Sequence, residues 1–145
     1  MRAGRGDAPN DPLFAHDPGH RDLAASTRFY ETIGCFKNQP FSTDQASAVV
    51  WSNAITFQLL TRDYFWTFST RPIAEAYKAL SALYALSADS RGAVNVMAEA
   101  AAGATLKANV SSVRDIGFMY VPTFEDLDGN TFETMWLDMS AMDAA

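Results

Sequence analysis

The chain has 145 residues, 48% of them apolar, with ten Phe, five Tyr and three Trp, enough for one packed core built as one domain or as two fused modules, and too apolar for a disordered chain. Its formal charge of -6 comes without a sustained basic run, which argues against a phosphate-binding surface and so against nucleic acid as a partner. Apolar runs fall short of a membrane span, no signal-peptide centre marks the N-terminus, and Cys35 is the only cysteine; a soluble cytoplasmic protein with a buried, inert thiol is expected, with no membrane partner.

Residues 1–12 are rich in Gly, Pro, Asp and Arg and read as a flexible leader. The following L-F-A-H-D-P-G-H-R starts as an apolar edge strand, which Pro18 and Gly19 stop early. A helix is expected next: Asp22 caps it, Leu23, Phe29, Tyr30 and Ile33 supply its apolar side, and Gly34 ends it. Phe36 and Phe41 bracket a polar stretch suited to a short irregular strand. Residues 46–51 and 54–60 read as strands joined at Ser52-Asn53, with Thr56 and Gln58 alternating against Ile55, Phe57 and Leu59. Residues 61–77 place Tyr64, Phe65, Trp66 and Phe68 ahead of Pro72, the composition of a bridge or lid with a short helix. Residues 79–88 are read as a strand because a helix follows: Asp89 or Ser90 caps it, Val94, Met97, Ala98 and Ala101 form its stripe, and Gly103 is expected to end it. Strands at 106–110, 117–124 and 131–137 complete the pattern.

Strand, helix and three strands thus occur twice. The expected fold is α+β, with paired β-α-β-β-β modules at about 13–61 and 79–138 inside a single domain, 13–145, joined by the aromatic bridge. Helices on one side of mixed sheets leave a concave, partly polar face on the other. The most informative stretch is residues 120–136, Y-V-P-T-F-E-D-L-D-G-N-T-F-E-T-M-W, two apolar strands around a tight acidic turn at Asp128-Gly129. Glu133 stands inside the second strand, where a buried carboxylate requires a metal, a cation or hydrogen-bond donors. A metal centre, a polar ligand pocket and a wet sheet face are the three environments open to it.

Two segments carry a family resemblance. D-L-A-A-S-T-R-F-Y-E-T-I-G at 22–34 is similar to the first-helix signature of the glyoxalase, bleomycin-resistance and extradiol-dioxygenase superfamily, the vicinal oxygen chelate (VOC) fold. F-E-D-L-D-G-N-T-F-E-T-M-W at 124–136 resembles its final hairpin. Q-L-L-T with Phe65, A-L-S-A-D-S-R, G-F-M-Y and the last W-L-D resemble bacterial proteins labelled lactoylglutathione lyases or glyoxalase-like proteins. The resemblance implies metal ligands on the first and last strands of each module. It carries over Glu133 as the final acidic ligand and Gln58 as the polar ligand of the fourth strand. The other two positions fall near Ala15 and Leu83, which have no coordinating side chain. His16 stands one residue from the first of them, where only a bulge turns it inward.

A glyoxalase-type reaction needs an ion to polarise adjacent oxygens and a base to move a proton. Glu133 and His16 are the catalytic candidates, and Glu133 with Gln58 the candidate ligands of a weakly bound divalent metal. Gln58, Phe65, Trp66, Phe118, Tyr120 and Met135 are the candidate pocket wall. The aromatic run serves equally to stack on a small ligand, to close the core or to form a homodimer interface, and the family's shared interfaces imply a homodimer. Two functions follow: a lyase or isomerase acting on a small oxygenated metabolite, or a metal-free small-molecule binding or sequestration protein of the bleomycin-resistance type, with no cofactor. Ser26 and Ser69 lack a histidine partner for a triad. No glycine-rich nucleotide fingerprint follows a strand. Asp126 and Asp128 read as turn-stabilising residues rather than calcium ligands.

Overall fold

Helix α1 (Leu23–Thr32) buries Ser26, Thr27, Phe29 and Tyr30, spaced to share one helical face. In the computed structural model, which describes residues 23–107 and 110–143, this helix ends as expected at Gly34. That glycine takes φ +111°, and the amide of Cys35 donates to the Tyr30 carbonyl; only glycine adopts such a backbone without a Cβ penalty. The expected leader, the opening strand and the Asp22 cap lie outside the described residues.

The first sheet has the order β1 (Phe36–Lys37), β2 (Ala46–Val50), β3 (Thr56–Leu60), all antiparallel. Strand β1 is short because Gln39–Phe41 forms a 3-10 turn with Pro40 at its start, where proline's fixed φ and missing N–H interrupt a ladder. The Ser52 hydroxyl closes the β2–β3 turn by accepting from the amides of Ala54 and Ile55. Helix α2 (Arg62–Trp66) follows, capped by the Thr61 hydroxyl.

The second sheet is built around β8 (Thr131–Leu137). Strand β4 (Leu83–Ser87) runs parallel to it on one side, while β6 (Met119–Val121) and β7 (Thr123–Glu125) pair antiparallel on the other, with β5 (Arg114–Asp115) beyond β6. Helix α3 (Arg91–Thr105), capped by the Ser90 hydroxyl, links β4 to the rest, and α4 (Met139–Met142) closes the chain. Three expectations need correction. Helix α3 does not end at Gly103 but runs to Thr105 and turns at Leu106, which has φ +59°. The alanine-rich run favours helix strongly enough to absorb one exposed glycine. No strand forms at 106–107 or at Val110, the described part of 106–110; the edge position belongs to Arg114–Asp115. The strand expected over 117–124 is divided at Pro122, which has no N–H to donate and instead accepts from the Thr134 amide through its carbonyl.

Together these elements are the expected α+β arrangement of paired modules. They meet in one aromatic cluster. The Tyr30 ring lies 5.4 Å from Phe57 of β3 and 6.1 Å from Phe132 of β8, and those two rings are 5.8 Å apart. Phe124 stacks on Phe132 at 5.1 Å. Above the cluster the Tyr30 hydroxyl donates to Asp126 Oδ2 at 2.8 Å. Asp126, only 2% exposed, also accepts from the amides of Asp128 and Asn130 and from the Asn130 side chain. Cys35 is buried, and burial pushes its thiol up to about 11, as an inert cysteine requires.

Tyr30→Phe removes one of four donors from a buried carboxylate and is expected to cost about 1.5–3 kcal/mol in urea denaturation. Burial, reinforced by Asp126, holds the Tyr30 phenol protonated well above its ordinary range. Its contribution is therefore complete below the unfolded value of about 10 and declines as pH rises past it. Cys35 adds a loss that starts at about 9. Stability is expected to fall with rising pH through this window, and Tyr30→Phe to flatten the fall above about pH 10; an unchanged slope there contradicts the phenol's role.

Candidate ligand-binding site

Alternation along β8 turns Phe132 and Thr134 toward the buried side and Glu133 to the opposite face. The strand register sets Ala85 of β4 and Thr123 of β7 beside Glu133. Leu83, two residues along the same face, stands beside Thr131. The cation comes from a residue that sequence reasoning missed. Arg114 of β5 donates from Nη2 to Glu133 Oε1 at 2.7 Å, with the glutamate side chain 19% exposed and the arginine 59%. No signal short of the three-dimensional register finds this pair, because β5 is two residues long and its partner is 19 positions away. Alanine and leucine supply no metal donors, and a guanidinium already occupies a Glu133 oxygen. The neighbours on β4 therefore add no ligand to Glu133 for a divalent ion. Among the described residues no group of three or more His, Cys, Asp and Glu converges as a metal site. His16 lies outside the described residues.

Gln58 is positioned by β3. Its neighbour Phe57 packs on Tyr30, so alternation turns Gln58 away from α1, beside Ala48 of β2. There it borders a cavity of about 1000 Å³, enclosed by the end of β3, α2, the start of α1, residues 73–78 and the turn 126–130. A smaller hollow of about 520 Å³ adjoins it, floored by Ala46 and Leu60 and walled by Phe41, Tyr64, Phe65 and Phe68. Gln58, Leu60 and Phe65 belong to both. Tyr64 and Phe68 meet edge to face at 5.1 Å, which props the aromatic wall upright. The smaller hollow is largely apolar, whereas the large cavity also has charged walls, among them Asp44, Arg62, Glu75 and Lys107, and the exposed Gln58 borders both.

The other candidates are distributed differently. Glu133, Trp66, Phe118, Tyr120 and Met135 line neither hollow. Met135 shares the Glu133 face by alternation, whereas Phe118 precedes β6 and is part exposed. Tyr120 points to the helix side: its hydroxyl donates to Asn95 Oδ1 at 2.8 Å, and the Arg91 guanidinium lies 4.3 Å from its ring centroid. Arg91 also makes a bidentate pair with Asp115. That pair, with the Gly117 amide, holds the Asp115 carboxyl down to about 2. Tyr120 thus belongs to the pin between α3 and the sheet rather than to the face of Glu133.

No protein-family model matches the chain, and none of the curated proteins does. Solved structures do. A hypothetical protein from S. aureus superposes with a TM-score of 0.67 at 21% identity, covering 79% of this chain and 85% of that one. A glyoxalase/bleomycin resistance protein/dioxygenase family enzyme from Burkholderia phytofirmans PsJN gives 0.64 at 15% identity over 81% and 92%. A glyoxalase/bleomycin resistance protein from Albidiferax ferrireducens T118 gives 0.61 at 17% identity over 81% and 92%. At these identities the likeness shows the fold, the paired β-α-β-β-β architecture of the VOC type. No helix among the described residues is long and apolar enough to cross a membrane.

A double-mutant cycle of Arg114→Ala and Glu133→Ala, followed by urea denaturation, is expected to give a coupling of about 0.5–1 kcal/mol that shrinks as salt rises. A coupling of zero at low salt contradicts the pairing.

Proposed function

We propose that this chain is a glyoxalase/bleomycin-resistance superfamily protein that binds or sequesters a small, largely apolar molecule without a tightly held metal. The observation that carries this reading is the pairing of Glu133 with Arg114 beside Ala85, while Gln58 and Phe65 border an open hollow elsewhere. A lactoylglutathione-lyase reaction asks a carboxylate of this kind to hold an ion or move a proton. Here one oxygen of that carboxylate, Oε1, already accepts from a guanidinium.

The hollow supplies what recognition of a planar ligand needs. Phe41, Tyr64, Phe65 and Phe68 offer ring faces and edges, and the exposed Gln58 amide beside them offers both hydrogen-bond donors and an acceptor. In the smaller hollow, apolar walls beside a polar amide give orientation without chemistry. No proton relay or nucleophile is required for that task.

Titration of a panel of small aromatic compounds, read by intrinsic fluorescence, is expected to yield saturable binding that EDTA leaves unchanged. Phe65→Ala is expected to weaken it by about threefold to tenfold, the range of an aromatic contact, and Gln58→Leu by about fivefold, the loss of one hydrogen bond. Loss of binding in EDTA, or lactoylglutathione formation restored by Ni²⁺, Zn²⁺ or Mn²⁺, favours the metal-dependent lyase instead.

A further inference from the structure

Residues 67–82, between α2 and β4, contain neither helix nor strand, yet six consecutive members, residues 73–78, wall the large cavity. Within that stretch the amides of Lys78 and Ala79 return to the Glu75 carbonyl, and Lys78 pairs with Glu75 at 2.6 Å. This local closure makes residues 75–79 one turn whose amide bonds open together when the turn is released. Opposite it stands the acidic turn 126–130, held by the buried Asp126 and its four donors. One wall of the cavity is therefore anchored in the core, and the facing wall is a strap.

Tyr77 joins the two. Its hydroxyl donates to the Leu127 carbonyl at 2.7 Å. Its ring sits so close over Gly129 that a Cβ there would lie 2.7–2.9 Å from ring carbons. Lys107 Nζ stands 4.8 Å from the ring centroid. Gly129, with φ +88°, serves two purposes at once: it makes the turn and leaves the seat for the ring. Tyr77 as a whole remains 48% exposed, so water can replace these contacts. A hydrogen bond with a ring contact of this kind favours the closed state by about tenfold to a hundredfold, strong enough to hold and weak enough to release.

We propose that residues 73–78 form a hinged cover over the large cavity and that Tyr77, seated on Gly129 and bonded to Leu127, is its latch. The gating role rests on reading that cavity as the ligand site; the latch does not. Ligand enters when the Tyr77 contacts open and is retained when they re-form, so the latch sets exchange rates more than affinity.

Hydrogen-exchange mass spectrometry separates latch from gate. In the full chain, Tyr77→Phe removes the hydroxyl bond and is expected to speed exchange of amides 74–79 by about fivefold, with Tyr77→Ala faster still and β8 unchanged. Gly129→Ala is expected to act like Tyr77→Ala; if it fails to fold, the two Tyr77 variants decide. Strap exchange equal to wild type in both variants overturns the latch, as does an equal rise in β8. Stopped-flow binding of 1-anilinonaphthalene-8-sulfonate then tests the gate: association and dissociation rates should rise together, with affinity kept within about twofold. Unchanged rates with a freed strap overturn the gate. Failure of the dye to bind wild type counts against the binding reading, and the exchange data still decide the latch.

Discussion

A carboxylate sealed from water costs several kcal/mol unless donors replace the lost hydration, and among the described residues Asp126 is where that condition is most demanding. Three of its four donors come from its own turn, the amides of Asp128 and Asn130 and the Asn130 side chain. The fourth comes from Tyr30, 96 positions earlier. The turn and the helix are thus mutually conditional. Without the turn, Tyr30 buries an unpaired phenol; without Tyr30, a carboxylate lone pair faces apolar rings. Because Tyr30 also touches Phe57 and Phe132, this bond fixes where the two sheets meet and where the cavity opens between them.

How far this was readable beforehand depends on whether each element carries its own periodicity. Strand β8 matches the expected 131–137 because alternation and the preceding Asp-Gly turn both define it. Helix α1 ends at Gly34 for an equally local reason. Where two local signals compete, reading fails: Gly103 marks a stop, but the surrounding alanines carry α3 two residues further. Pro122 was visible, yet its effect depends on a ladder partner that one strand alone does not reveal. The hollow was partly legible, since alternation separated Gln58 from Phe57 and the aromatic run announced itself. Its relation to Glu133 was not. Placing Arg114 on Glu133, or Tyr120 on the α3 side, requires the register of a two-residue strand and of β6 against β8, and both are properties of the assembled sheet.

The final hairpin holds three buried or half-buried acids; Glu125 pairs with Lys107, and the different solutions found by Asp126 and Glu133 bear on chemistry. Asp126 is satisfied by neutral donors and becomes a structural node. Glu133 is satisfied by a movable, solvent-reaching guanidinium. An exposed pair of this kind contributes little to stability, so the fold does not depend on it. Its consequence is competitive at one oxygen: an ion or a proton bound at Oε1 must displace Arg114, which donates to that oxygen. With Ala85 and Leu83 as neighbours on β4, nothing described on that strand compensates the displacement.

The same hairpin is thereby divided by face. Its turn braces α1 and seats Tyr77, while its strand turns Glu133 toward the other side of the sheet. A cavity that opens at the turn end does not need the Glu133 face to be reactive, and it draws its walls from the bridge, which has no regular structure of its own. Such a wall can change in sequence without disturbing the aromatic cluster, because its attachment to the turn runs through a ring on a glycine rather than through the core. The strap and the aromatic shelf can therefore vary in sequence while Tyr30 and Asp126 keep the sheets together.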